Sequence, residues 1–99
     1  MNLFDKLYDE HENAKVRFIG FTTDQTRYDF GIVFTNLFFG KPLVVCMQTG
    51  RSTLLDPKDL DDTEFLQKVF KMSTIQQALD LSQFFKIVIP TPVFETQYE

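Results

Sequence analysis

Histidine and cysteine occur once each, as His11 and Cys46, and tryptophan does not occur at all. A lone histidine leaves Ser-His-Asp centres, Cys-His centres and multi-histidine metal sites all dependent on one side chain, which disfavours those classes. A lone cysteine forbids an intramolecular disulfide, so a reducing, cytoplasmic location is expected. Only four glycines and four prolines punctuate 99 residues. With no repeat and no low-complexity linker, one domain over residues 1–99 is expected, residues 93–99 forming a tail that Val93 and Phe94 anchor. Long apolar runs are missing too. The most apolar stretch, Phe30 to Met47, is broken by Thr35, Asn36, Gly40, Lys41 and Pro42, and no membrane partner is expected. The opening residues carry Asp5, Lys6, Asp9 and Glu10 and do not read as a secretory signal. Positive charge is also scarce: ten Lys and Arg face fourteen Asp and Glu, a net charge of −4. Nucleic acid is therefore an unfavoured partner.

What is abundant is phenylalanine, with 12 in the chain. Having no polar atom, each one favours burial. Leu3, Phe4, Leu7 and Tyr8 recur at helical spacing, so residues 3–11 are expected to form a short amphipathic helix, which must dock on the core or on a partner. Residues 14–23 and 27–36 are rich in β-branched and aromatic types and read as a hairpin. With Thr23 set opposite Arg27, the core face holds Val16, Phe18, Gly20 and Thr22 against Phe34, Ile32, Phe30 and Tyr28, with Phe30 lying across bare Gly20. Leu43–Gln48 reads as a central third strand, apolar on both faces. Thr49-Gly50 turns into a short fourth strand, Arg51–Leu55.

Asp56-Pro57 opens one helical turn. Capping-box spacings at Asp61/Glu64 and Ser73/Gln76 then open two helices, the first running to about Met72. The second is expected to face inward through Ile75, Ala78, Leu79, Ser82 and Phe85, with Leu81 and Phe84 off that stripe. Lys86–Ile89 reads as a last strand, ended or confined to an edge by Pro90 and Pro92. The fold class is α+β: a two-layer sandwich with a mainly antiparallel meander of four or five strands, two helices from the C-terminal half on one face, and a short N-terminal helix.

Candidate chemistry is sparse. Asp9, Glu10, His11 and Glu12 match no established ligand spacing. The acids Asp56, Asp59, Asp61, Asp62 and Glu64 lack the glycine and spacing of a calcium loop and are better used as helix caps. Cys46 sits in an apolar strand, where a thiol acts as a small hydrophobe. No catalytic, cofactor or metal-binding set is assigned. Gly50-Arg51-Ser52-Thr53 offers a weak anion-binding loop, and Arg51, Ser52 and Thr53 with nearby acids define an alternative reading as a small hydrolase or nucleotide-binding enzyme. Lys15, Arg17 and Arg27 beside Phe21 define another, as a weak single-strand nucleic-acid binder.

With Thr23 opposite Arg27, the second sheet face carries Arg17, Ile19, Phe21, Asp29 and Val33, an apolar surface with charges that a two-layer domain leaves in water. These five residues are the expected interface of a homodimer, Asp29 meeting an arginine across the two-fold axis. Over nearly its full length, and through Arg17-Phe18-Ile19-Gly20-Phe21-Thr22 and Gly50-Arg51-Ser52-Thr53-Leu54-Leu55-Asp56, the chain resembles a small family of uncharacterised single-domain cytosolic proteins of the Firmicutes. That resemblance implies a bacterial protein and assigns no functional residue. The residues favour a non-catalytic interaction, scaffold or regulatory module that pairs with itself and serves an unidentified protein partner.

Overall fold

The computed structural model describes residues 3–23 and 26–89. Four strands, β1 (Lys15–Thr23), β2 (Thr26–Phe34), β3 (Leu43–Cys46) and β4 (Ser52–Leu54), precede two helices, α1 (Thr63–Val69) and α2 (Ile75–Val88). The strands form one antiparallel sheet in the order β1-β2-β3-β4. Both helices pack on one face of it, giving the α+β meander that the order of apolar segments implies.

Local chemistry explains the connections. Asp56 and Asp59 cap each other across the 3-10 turn Pro57–Asp61, with proline at its start. Asp62 caps α1 by accepting from the Phe65 N–H at 3.0 Å. Thr74 and Gln77 form the capping box of α2. The caps expected at Asp61 and Ser73 are thus each displaced by one residue, because neighbouring polar side chains compete for the same first-turn N–H groups; at α1 the cap is Asp62 alone, without the reciprocal box, since Phe65 stands three residues on. At the end of α1, Lys71 takes φ +58°, while its N–H reaches Lys68 and that of Met72 reaches Gln67. This is the left-handed helix end at which glycine is the usual occupant.

Two expected elements differ, as does the facing of α2. Residues 3–14 contain no helix. Leu3, Phe4, Leu7 and Tyr8 are exposed in the single chain, and a short helix without a docking surface does not sustain itself. The strand expected at Lys86–Ile89 is instead the last turn of α2. Leu81, Phe85 and Val88 continue a buried helical stripe there, and that packing overrides the β preference of Ile87 and Val88. The stripe also brings Leu81 inward and leaves Ile75 and Leu79 half exposed, reversing their expected roles. The tail expected at 93–99 lies outside the described residues.

The decisive difference is the hairpin register. Thr23 pairs with Thr26 rather than Arg27, so Phe21 faces Tyr28, Ile19 faces Phe30 and Arg17 faces Ile32. One residue of slip turns every β1 side chain to the opposite face. Tyr28, Phe30 and Ile32 are buried as expected, but their partners toward the helices are Phe21 and Ile19, not Thr22 and Gly20. Phe21 stacks between Tyr28 and Phe84, with ring centroids 4.7 and 4.0 Å apart. Phe30, Phe70 and Phe85 meet at 5.1 to 5.8 Å in the centre of the core. A polar pin holds the hairpin tip to α2: the Tyr28 hydroxyl donates to Asp80 at 3.2 Å. Burial pushes the Tyr28 hydroxyl pKa up, and the negative Asp80 adds to the rise.

A candidate interaction surface on the outer sheet face

On the face turned away from the helices, the register aligns side chains in rows across all four strands. Val16, Val33, Leu43 and Leu54 form one row; Phe18, Gly31, Val45 and Ser52 form the next. An antiparallel sheet with one solvated face ordinarily alternates apolar with polar, and these two rows hold polar side chains only at Ser52. Phe18 is 76% exposed, with Val16 and Met47 about half exposed. A Cβ built on Gly31 would lie 3.1 Å from Met47 Cε and 3.3 Å from Phe18 Cε1. The phenyl ring therefore lies over a bare glycine, the aromatic-on-glycine device expected inside the hairpin but realised on its outer side.

The apolar rows end at a polar border. Asp29 accepts from Arg27 Nε at 2.8 Å and from the Gln48 amide at 2.7 Å, while its own N–H donates to Gln48 Oε1 at 3.0 Å. Hydrogen bonding from Arg27 holds the Asp29 carboxyl below the usual range; partial desolvation opposes this, and Gln48 supports it. Beyond the other end of the rows, Phe38, Phe39 and Gly40 adopt successive φ values of 53°, 61° and 74°. Left-handed backbone is unfavourable for residues with a Cβ, and here it holds Phe39 98% exposed.

A family model matches residues 7–87, which span all four strands, α1 and all of α2 but Val88. The chain belongs to the SAV0927-like family. Searching curated proteins returns no match. The SAV0927-like match thus takes in the whole outer face and both helices that back it, and it begins at Leu7, within the segment that precedes the sheet.

The residues expected at the interface are divided between the two faces. Asp29 and Val33 lie on the outer face, whereas Arg17, Ile19 and Phe21 point toward the helices. Ile19 and Phe21 are sheltered by the chain's own core, because the register turns them toward the helices and not into water. Val16 and Phe18 stand where those two were expected. The missed signal was in the composition of β1 itself, since both of its faces carry large apolar side chains and alternation cannot choose between them.

The other candidate sets are not assembled. Ser52 and Thr53 occupy opposite faces of β4, Thr53 with its hydroxyl on the Leu54 carbonyl, so they do not converge with Arg51 on one anion. Lys15 and Arg17 are on the inner side of the sheet with Phe21, while Arg27 is on the outer side in its ion pair with Asp29, so the three basic side chains do not share one face. The acids from Asp56 to Asp62 serve as caps or ion pairs: Asp56 with Lys41 at 3.6 Å, and Asp61 with Lys86. Among the described residues no three His, Cys, Asp or Glu side chains converge on a point. Cys46 is fully buried in the core. Among the described residues no helix is long and apolar enough to cross a membrane.

Proposed function

We propose that the chain is a non-catalytic interaction module of the Firmicutes cytoplasm that works as a homodimer and serves as scaffold or regulator for another protein. The observation that carries this reading is the apolar outer face of the sheet, with Phe18 on its edge strand laying its ring over Gly31. Aromatic and aliphatic side chains in rows, bounded by a polar rim such as Arg27, Asp29 and Gln48, make up the composition of protein contacts rather than of a reaction centre. Of the eleven phenylalanines among the described residues, three are buried and four half-buried, while Phe4, Phe18, Phe38 and Phe39 are exposed. The exposed set lies on the sheet's outer face, on one loop and on the N-terminal segment, not in a cleft. Association through a sheet face also agrees with the single histidine and single cysteine of the chain.

The test is molar mass by size-exclusion chromatography with light scattering at micromolar protein. Twice the chain mass is expected for the native protein, and the chain mass for Phe18→Glu with an unchanged far-ultraviolet circular dichroism spectrum. A native protein that stays at the chain mass overturns the reading.

A further inference from the structure

Ahead of β1, residues 3–14 form no regular structure, and Leu3, Phe4, Leu7 and Tyr8 are 88, 78, 89 and 61% exposed. Their spacing puts all four on one side of a helix, yet nothing among the described residues covers that side. The base of the segment is fixed: Glu12 accepts from the Thr35 hydroxyl and from the Asn36 N–H at 2.6 Å. At the same end of the sheet, but on its inner side, lies an open groove of about 680 Å³ lined by Lys15, Arg17, Phe34 and Val88. A volume of this order admits several side chains.

The groove has apolar walls and two cations. Among the described residues, no carboxylate pairs with Lys15 or Arg17. Residues 3–11 have the complementary character, with Asp5, Asp9 and Glu10 against Lys6, which pairs with Asp9 at 3.2 Å, interleaved with four large apolar residues. Opposite charge sets the approach and orientation of such a contact, and apolar burial supplies its affinity.

From this complementarity, and resting on the self-association reading above, we infer that residues 3–11 of one copy become helical in the Lys15–Arg17 groove of a second copy. The exchange is reciprocal, as a two-fold axis requires. Docking covers the apolar side left exposed in the single copy, so helix formation and association are one event.

The experiment uses the full chain and five variants, each measured by light scattering and far-ultraviolet circular dichroism. Arg17→Glu, and separately Asp5→Lys with Asp9→Lys, are each expected to weaken association about tenfold, and their combination to restore it, as swapped charge pairs do. Deletion of residues 1–11 is expected to remove association together with helical signal. A Leu7→Cys/Lys15→Cys variant, oxidised, is expected to run at twice the chain mass without reductant. Crosslinking within single chains, which would seat the segment in its own groove, overturns the inference. So does a dimer indifferent to the deletion, or one lost only when residues 90–99 are removed, which would make those residues the occupant. In these cases a native dimer that Phe18→Glu dissociates leaves the self-association reading intact, whereas a native monomer removes both.

Discussion

The two faces of the hairpin are built from the same kinds of side chain and meet opposite fates. Toward the helices, Tyr28, Phe30 and Ile32 are at most 2% exposed, and Phe21 is stacked against Phe84. Three residues earlier in the same strand, Phe18 is 76% exposed. Nothing in the ring distinguishes them; what does is whether α2 lies above. Apolar composition therefore does not by itself identify a core. A face that is apolar and uncovered in one copy is a statement about what that copy meets.

The sharpest way to break the comparison is to truncate one ring on each side. Phe85→Ala, at the centre of the aromatic cluster, is expected to lower unfolding free energy by about 3–5 kcal/mol in urea titrations. The same truncation at Phe18 should change the stability of the dissociated protomer by less than about 0.5 kcal/mol. Within β1 alone, Phe21→Ala is expected to cost about 2 kcal/mol because its ring is half-buried in the stack. Equal losses at positions 18 and 21 would mean that both faces are covered within one chain.

Smaller effects test the backbone at the edges of each face. Lys71→Gly is expected to raise stability by about 1 kcal/mol, because glycine has no Cβ to strain at positive φ. Phe39→Gly should do the same for the protomer, while removing the most exposed ring near the outer face. A gain at position 71 and a loss at 39 in protomer stability would show that Phe39 is held by contacts within the chain.

The pH dependence separates the faces again. On the inner side Tyr28 has a raised pKa, so its contribution is complete below the ordinary tyrosine value of about 10 and is lost as pH rises through the higher folded value. Denaturation midpoints should fall on the alkaline side more steeply for the native protein than for Tyr28→Phe. At the base of the N-terminal segment the Thr35 hydroxyl bond, with the Asn36 N–H, holds Glu12 below the usual range. Its contribution is present above the ordinary value of about 4.3 and disappears as pH falls through the lower folded value. Hydrogen exchange of the Asn36 amide should therefore lose protection, relative to other sheet amides, only on acidification.

Much of the architecture is legible because the relevant forces are local. Asp56-Pro57 opens its turn where read, the strands-then-helices order produces the layered fold, and Leu43–Cys46 is the internal strand its two apolar faces require. Cap positions missed by one residue because Asp61, Asp62, Ser73 and Thr74 are chemically equivalent as acceptors, and the geometry of the helix entry selects among them. The inner stripe of α2 was misread for a related reason: Ile75 and Leu79 are as apolar as Leu81 and Phe84, so periodicity permits more than one facing. The interface set Arg17, Ile19, Phe21, Asp29 and Val33 was divided by a single step of register, with Val16 and Phe18 replacing its β1 members.

By itself the sequence determined the class of fold, the order of its elements, the turn chemistry and the surplus of apolar side chains, since these follow from propensity, capping and composition. Only the tertiary structure decided which face of β1 carries that surplus. Strand residues alternate with a period of two, β1 is apolar on both phases, and the choice between them is made by the distant rings of Phe84 and Phe85, which reach the hairpin only after the chain has folded.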